Sequence, residues 1–443
     1  MTPVEGRILA GLDEFMLRAG HLLTLTRVAH DMGASWRRIH RELAKILSDT
    51  VVVTATDNPA VAEYLVEKKL CKQNPSKPGA KNDEKLRYPD LEVLRQASGD
   101  LSVRSLTPGA AVRVTWQDRN LSDRRVRSRV GAITWSAKAG SKTGLSHVAD
   151  WAQLLELVNG AGQLSPTARL MVTLTGAKAT KYEDWNPYVL GFERIFLAFE
   201  YFQRDLDIFA RFAPRLIDSQ SPLTKAVAQE LFVAALTDTS KDAEKSQSIS
   251  PRHKFELHRQ LRDLERSARR SDKKIEETST AWHRAASRLE TYTDFGLLEK
   301  GKDNEKEKYQ YIYHPTDSLR SAVDALARSP NGDAWLYQHM SEVILVTPSS
   351  SSESTLPPDS LLKDLSEIVC ALSLPTTLLP IYCLALGLVY LHAKRGDRLS
   401  LQHARDALES LPTHEPDVAR LARGREGTRA EFLSVNLRKV ASA

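Results

Sequence analysis

The spacing of apolar residues along this chain follows, for most of its length, the 3.6-residue period of amphipathic helices. Residues 6–18 and 190–212 carry apolar side chains on one helical face. Three shorter stretches, 51–53, 112–116 and 130–135, are instead rich in Val, Ile and Trp, and the second of them alternates with a period of two, which is typical of strands. The pattern predicts a mainly α, multi-domain protein with a small β-rich segment, which is either an SH3-like barrel or a β-rich insertion.

The helix over 190–212 is distinguished by its phenylalanines, which recur at helical spacing. Four of them define an aromatic stripe: Phe196, Phe199, Phe202 and Phe209. An exposed stripe of this kind promotes aggregation, so we expect it to be packed in a core or a subunit interface.

A different arrangement, a short helix, a glycine and a second helix, is predicted near the N-terminus. Thr26 has the side chain of an N-cap for a first helix over 27–32, since its hydroxyl can accept a free backbone N–H. Gly33 is the residue that turns most easily to positive φ. Ser35 can cap a second helix that begins at Trp36.

The second helix has an apolar face and a cationic face. Its apolar positions are Trp36, Ile39, Leu43 and Ile46, and Val28 and Ala29 of the first helix suit a close crossing. Over residues 24–47 the chain resembles the broad helix-turn-helix class, without indicating a particular family. The resemblance implies that the second helix lies in the DNA major groove. Its expected DNA-binding residues are Ser35, Arg37, Arg38, Arg41 and Lys45. The alternative is an ordinary helical hairpin with a solvated basic face.

A second segment, within 278–313, resembles a winged helix. A helix over 278–293 precedes a strand that begins at 297–298, a charged tip at 301–308 and a strand over 309–313. On that helix Trp282, Ala286 and Leu289 are expected to point inward. The outward positions, His283, Arg284 and Arg288, are expected to contact DNA. The mixed charge of the tip leaves protein binding open as the alternative.

The net charge of +6 permits an anionic partner, and its distribution along the chain is more informative. The segment 101–145 is rich in arginine and lysine and holds only two acids, Asp118 and Asp123. Non-specific contacts to DNA phosphates are predicted for Arg124, Arg125, Arg127 and Arg129. An arginine-rich solvated loop is the competing interpretation.

The chain of 443 residues is too long for one ordinary core, so several domains are expected. The predicted divisions are a helix-turn-helix domain at 1–95, a basic β-rich segment at 96–150, a helical domain at 151–240, a winged-helix domain at 241–330, a linker region at 331–358 and a helical C-terminal domain at 359–443. The uncharged stretch 368–391 is interrupted by Pro375 and Pro380. We therefore expect two buried helices there and no membrane span.

Signatures of catalysis are sparse. The 3 cysteines are unclustered, which favours a reducing cytoplasm without disulfides or a structural zinc site. The chain has no phosphate-binding loop of the G-x-x-x-x-G-K-[ST] type, and no cofactor, metal or catalytic residue is expected. Asp57, after the strand at 51–53, is the one candidate for a magnesium ligand, although capping of the next helix is the simpler role.

These observations predict a non-catalytic, cytoplasmic protein that binds double-stranded DNA. Its size and aromatic helices suggest docking onto other protein subunits or a second copy. A bacterial DNA-processing, mobile-element or anti-phage defence complex is the expected setting. The alternatives are a structural assembly subunit whose winged helices bind only protein, and a metal-dependent nuclease that uses Asp57.

Overall fold

The fold is described by a computed structural model and is mainly helical, as the sequence predicts. The described residues are 19–33, 35–40, 43, 52–55, 112–116, 132–133, 142–175, 191–247, 249–269, 280–302, 311–345, 356–372, 378–423 and 430–436. Contacts divide the chain into two units. The smaller unit comprises Gly20–Asp150 and Lys178–Tyr188, and the larger unit comprises Met1–Ala19, Trp151–Ala177 and Val189–Ala443. The finer domain boundaries stay predictions.

The first helix, α1 (Ala19–Met32), is longer than the sequence predicts. Leucines upstream of Thr26 extend it toward the N-terminus, and Leu22 and Leu23 are buried. Thr26 therefore lies inside the helix, where its hydroxyl donates a hydrogen bond to the carbonyl of Leu23 at 2.9 Å. The predicted N-cap at Thr26 is wrong because the helical period continues through it.

All three predicted strands of the smaller unit are present: β1 (Val52–Ala55), β2 (Val112–Trp116) and β3 (Ala132–Ile133). They form one sheet in the order β1-β2-β3. Strand β1 runs parallel to β2, with Val53 opposite Val114, while β2 and β3 are antiparallel. A parallel pair needs a crossover connection and differs from the antiparallel neighbours of a small SH3-like barrel.

The larger unit is built around a long, deeply buried helix. Its first helices are α2 (Lys142–Leu154, which begins in the smaller unit), α3 (Pro166–Leu174), α4 (Arg194–Ile217), α5 (Lys225–Lys245), α6 (Pro251–Arg269) and α7 (Thr280–Asp294). Helix α4 packs against α5, and α5 packs against α6 and α7. All four phenylalanines of the aromatic stripe are fully buried on α4, which confirms their core position within the chain.

An antiparallel hairpin follows α7, as the sequence predicts. Its strands are β4 (Leu298–Lys302) and β5 (Tyr311–Pro315), and Lys300 is opposite Tyr313. Leu223, just before α5, forms an isolated bridge to Tyr313 and so borders the hairpin. Helix α6 stands between α5 and α7 in the chain, an addition that the sequence pattern does not predict.

The next stretch corrects the predicted linker region. Helices α8 (Asp317–Arg328), α9 (Gly332–Gln338) and α10 (Met340–Leu345) continue through it. Trp335 is fully buried on α9, and its indole N–H donates to the carbonyl of Ala322 at 3.1 Å. Residues 332–345 therefore belong to the packed core, and the serine-rich run at 349–352 lies outside the described residues.

The C-terminal part contains the two helices predicted around the prolines, together with a sheet that the sequence does not predict. Its elements are α11 (Pro358–Leu372), β6 (Leu378–Pro380), α12 (Ile381–Arg395), α13 (Leu401–His414), β7 (Ala419–Arg423) and β8 (Ala430–Val435). The strands pair antiparallel in the order β6-β8-β7. Among the described helices, none is both long and apolar enough to cross a membrane.

Candidate nucleic-acid interface

A tight backbone turn joins α1 to a second helical segment at 36–40. Gly33 has φ of +68°, the left-handed region that glycine enters without steric cost. The backbone N–H of Ser35 donates to the carbonyl of Gly33 at 2.7 Å. The carbonyl of Ser35 then accepts the backbone N–H groups of Arg38 and Ile39, each at 2.9 Å. The second helix thus starts at the place the sequence predicts.

Burial separates the two faces of this second helix. Ile39 and Leu43 are buried, as are Val28 and Ala29 on α1, so the predicted burial of these apolar positions is confirmed. Trp36 is half-buried, and its ring meets that of His40 edge-on at 5.3 Å between centroids. Apolar packing therefore determines which face of the second helix is buried and which is exposed.

Two of the predicted DNA-binding cations lie on the outside of this segment. Arg37 and Arg38 are both exposed, and Ser35 is half-buried beside the turn. Arg41 and Lys45 lie outside the described residues. The described geometry thus brings two adjacent guanidinium groups to the surface directly after the turn, a position from which the first residues of a recognition helix reach DNA.

Several other sequence-predicted positions fall outside the described part of the chain. They are Arg124, Arg125, Arg127, Arg129, the side chain of His283, and Asp57. The corresponding predictions of phosphate contact and of a magnesium ligand remain predictions.

The structure contradicts the outward orientation predicted for Arg284 and Arg288 on α7. Their exposed fractions are only 5% and 2%. Arg288 donates from Nε to Asp205 Oδ2 at 2.8 Å and from Nη2 to Oδ1 at 2.7 Å, and its guanidinium lies 4.6 Å from the ring centroid of Phe232. Burial lowers the pKa of Arg288, but the surrounding Asp205, Tyr201 and Tyr292 together outweigh it, so the pKa is raised. Both arginines are structural residues.

A second buried cluster contains side chains of the kinds used in catalysis. Burial raises the pKa of the Glu200 carboxyl, partly offset by Arg204, whose Nη1 lies 2.6 Å from Glu200 Oε2. Burial likewise raises the pKa of the Cys383 thiol, and that of Tyr382 to about 12. A thiol that stays protonated is a poor nucleophile. The cluster therefore fits a packing role better than a catalytic one.

A cationic surface on α6 is a further feature, and its signal is visible in the sequence. Arg252, Arg259 and Arg262 are exposed and recur with intervals of seven and three residues, which places them on one side of a helix. Phe255 stands among them with 61% of its surface exposed. The sequence shows only that this segment is rich in charge. The cationic surface becomes visible when the arginines are placed on a helix with 3.6 residues per turn.

Comparison with known protein families, with curated proteins and with solved structures yields no match. Within the described ranges, no group of three or more His, Cys, Asp or Glu side chains is arranged to hold a metal ion. The function is therefore inferred from the surfaces described above.

Proposed function

We propose that the protein binds duplex DNA through the helix-turn-helix over 24–47, without chemistry of its own. The observation that carries the proposal is the exposed pair Arg37 and Arg38 on a helical segment whose opposite face, at Ile39 and Leu43, is buried. A helix with outward cations at its N-terminal end has the form that enters the major groove. Arg41, Lys45 and Ser35 continue this face in the proposal.

The arginines at 124–129 complete the proposed DNA contact. Phosphate contacts fix register and supply affinity without reading sequence, so they suit a cluster of adjacent arginines. Membership of a multi-protein DNA-processing, mobile-element or defence complex in the cytoplasm, with other subunits or a second copy as partners, stays a prediction.

The helix and hairpin at 280–315 favour a second candidate function for that segment. A helix followed by a two-stranded hairpin resembles the recognition helix and wing of a winged helix. The helix in the recognition position, α7, has Arg284, Ser287 and Arg288 buried. A recognition helix must present its side chains to bases. Their burial supports a structural or protein-binding role for this winged helix, with duplex contact left to the N-terminal segment.

The test is a gel-shift salt titration of the full chain on a duplex, with wild type, the double variant Arg37→Ala/Arg38→Ala, and a control. The control, Arg320→Ala/Arg328→Ala, removes the same charge from exposed positions of α8. Removing one cation that neutralises a phosphate lowers the slope of log K against log salt by about 0.9. We expect a loss of affinity for the first double variant, with a slope lower by up to about two where both arginines contact phosphates, and neither change for the control.

Equal affinity and slope for both double variants would overturn the proposal for this helix. A loss of affinity that depends on base sequence would assign Arg37 or Arg38 to base edges in place of phosphates, and would support the proposed recognition role.

A further inference from the structure

Helix α6 exposes a stripe of arginines interrupted by one phenylalanine, which we name the α6 stripe. Its described members are Arg252, Phe255, Arg259 and Arg262, at intervals of three, four and three residues. Residues spaced in this way are neighbours on one helical face. Positions 266 and 269, both arginine, continue the same spacing within the helix.

The opposite side of α6 is anchored to the larger unit. Leu257 is buried and Leu261 is half-buried, so the apolar face of α6 packs against the protein. Lys254 donates from Nζ to the carbonyls of Glu244 and Ser246 at 3.0 Å and 2.8 Å, which ties α6 to the end of α5. Helix α6 is therefore anchored to the larger unit on one side, and the α6 stripe lies on its other, exposed side.

Phe255 is more exposed than any other large apolar side chain among the described residues. Burying a phenylalanine stabilises a protein, and here the ring is left 61% exposed among cations. The guanidinium carbon of Arg262 lies 5.9 Å from the ring centroid, and Nε of Arg262 donates to the carbonyl of His258 at 3.4 Å. The guanidinium and the ring are therefore neighbours, and both side chains are exposed to solvent.

We propose that the α6 stripe binds single-stranded nucleic acid, with Phe255 stacking on an unpaired base and the arginines contacting phosphates. Proteins that bind single strands combine a cationic track with aromatic side chains on which bases stack. The 19-residue helix is roughly 28 Å long, which spans several nucleotides. In an intact duplex the base faces are already stacked, so duplex phosphates alone give an exposed phenylalanine nothing to stack on.

The acids near the α6 stripe are consistent with this ligand. Glu244 is engaged by His258, with 2.8 Å between Oε1 and Nε2, on the side of α6 that faces α5. In the sequence, Glu256 and Asp263 each follow a stripe arginine by four residues. Arginines nevertheless outnumber acids along the stripe, and this ligand goes beyond the duplex proposed for the N-terminal segment.

The test is fluorescence anisotropy of the full chain with labelled oligo(dT), oligo(rU) and a DNA duplex of equal length, each titrated over salt. The variants are Phe255→Ala and Arg252→Ala/Arg262→Ala. The matched controls are Phe192→Ala, which removes another exposed phenylalanine (40% exposed), and Arg320→Ala/Arg328→Ala. Circular dichroism melting checks that all variants stay folded.

Loss of one stacked base costs about 1–3 kcal/mol, so Phe255→Ala should weaken single-strand binding at least about 5-fold while leaving the salt slope unchanged. The arginine variant should lower the slope by about 0.7 for each phosphate that is no longer neutralised. If the variants lose the same affinity for oligo(dT) and oligo(rU), the stripe binds both single-stranded DNA and RNA. If the loss is larger for one of them, that nucleic acid is the ligand. Both controls should bind like wild type.

The proposal fails if the arginine variant binds oligo(dT) like wild type, or if Phe255→Ala and Phe192→Ala have the same affinity for it. It also fails if polyglutamate at matched charge displaces oligo(dT), which would assign the stripe to acidic proteins. The duplex arm keeps the two proposals separate. If Arg37→Ala/Arg38→Ala fails to weaken duplex binding, the N-terminal proposal fails while single-strand binding by the α6 stripe is judged on its own variants.

Discussion

Arg288 of α7 and Asp205 of α4 form an ion pair with two hydrogen bonds at a site where both side chains are buried. The hydroxyl of Tyr201 donates to the same carboxylate at 2.9 Å. Desolvating two charges is costly, and it is offset here by close geometry and by hydrogen bonds that satisfy the carboxylate. The pair fixes α7 against α4 and so removes Arg288 from any surface role.

Replacing Arg288 by Met should destabilise the larger unit strongly, because it leaves the Asp205 carboxylate buried without its cation. Breaking a buried pair from one side costs about 3–5 kcal/mol. The double variant Arg288→Met/Asp205→Asn removes both charges, and we expect its loss to be smaller than the sum of the two single losses. Urea unfolding followed by circular dichroism measures all four proteins. Additive losses would show that the two residues do not stabilise each other.

Phe209 of the aromatic stripe and the exposed Phe255 form a matched pair for a packing test. Phe209 is fully buried and its ring lies 4.8 Å from that of Phe202, whereas Phe255 is mostly exposed. Phe209→Ala should lower the free energy of unfolding by about 3–5 kcal/mol, since it creates a cavity in the core. Phe255→Ala should change it by less than about 0.5 kcal/mol, as is usual for surface substitutions. Similar losses in the two variants would contradict the burial of the stripe.

How far the sequence predicts this structure depends on how local the signal is. The Phe-rich period of α4 and the alternation at Val112 and Val114 are local patterns, and both elements are present where predicted. The orientation of Arg288 is not local, because its partner lies 83 residues earlier. Asp205 could have indicated it: a carboxylate within a phenylalanine stripe requires a buried cation.

Other errors have equally physical causes. The three-residue strand β6 is too short to show an alternation, so the sequence does not predict the C-terminal sheet. Threonine suits an N-cap, yet the leucines before Thr26 extend the helix through it. Of the candidate site, the turn at Gly33 and the described part of the two helical faces agree with the prediction, since both follow from neighbouring residues.

Glu200 leads to a prediction about pH. Burial raises the pKa of this carboxyl above its ordinary value of 4.5, with Arg204 opposing the shift. A raised folded-state pKa means that the stabilising contribution of the protonated group is complete below about 4.5 and is lost as pH rises through the folded-state value. Glu200→Gln cannot ionise. Wild type should therefore lose stability relative to Glu200→Gln as pH increases from 4 to 8.

The measurement is urea unfolding at several pH values in that window, with Glu156→Gln as the control. Glu156 reaches the same arginine, with 2.8 Å between its Oε2 and Nη2 of Arg204, but its side chain is 78% exposed. Solvent screening should make the effect of its removal smaller and flatter with pH. Parallel stability curves for wild type and Glu200→Gln would rule out a raised pKa at Glu200.

Gly33 provides a test of the turn that presents Arg37 and Arg38. At its φ of +68° an added Cβ meets no atom within 4 Å, so any cost of Gly33→Ala comes from the backbone conformation itself. Alanine in the left-handed region costs about 1 kcal/mol, whereas asparagine tolerates that region better.

Gly160, also in open space but without a positive φ, is the matched control, and alanine there should be neutral or stabilising by about 0.4–1 kcal/mol. Urea unfolding should therefore rank Gly160→Ala above Gly33→Asn, and Gly33→Asn above Gly33→Ala. If Gly33→Ala matches Gly160→Ala in stability and also keeps wild-type duplex affinity, the left-handed turn is not what positions the second helix.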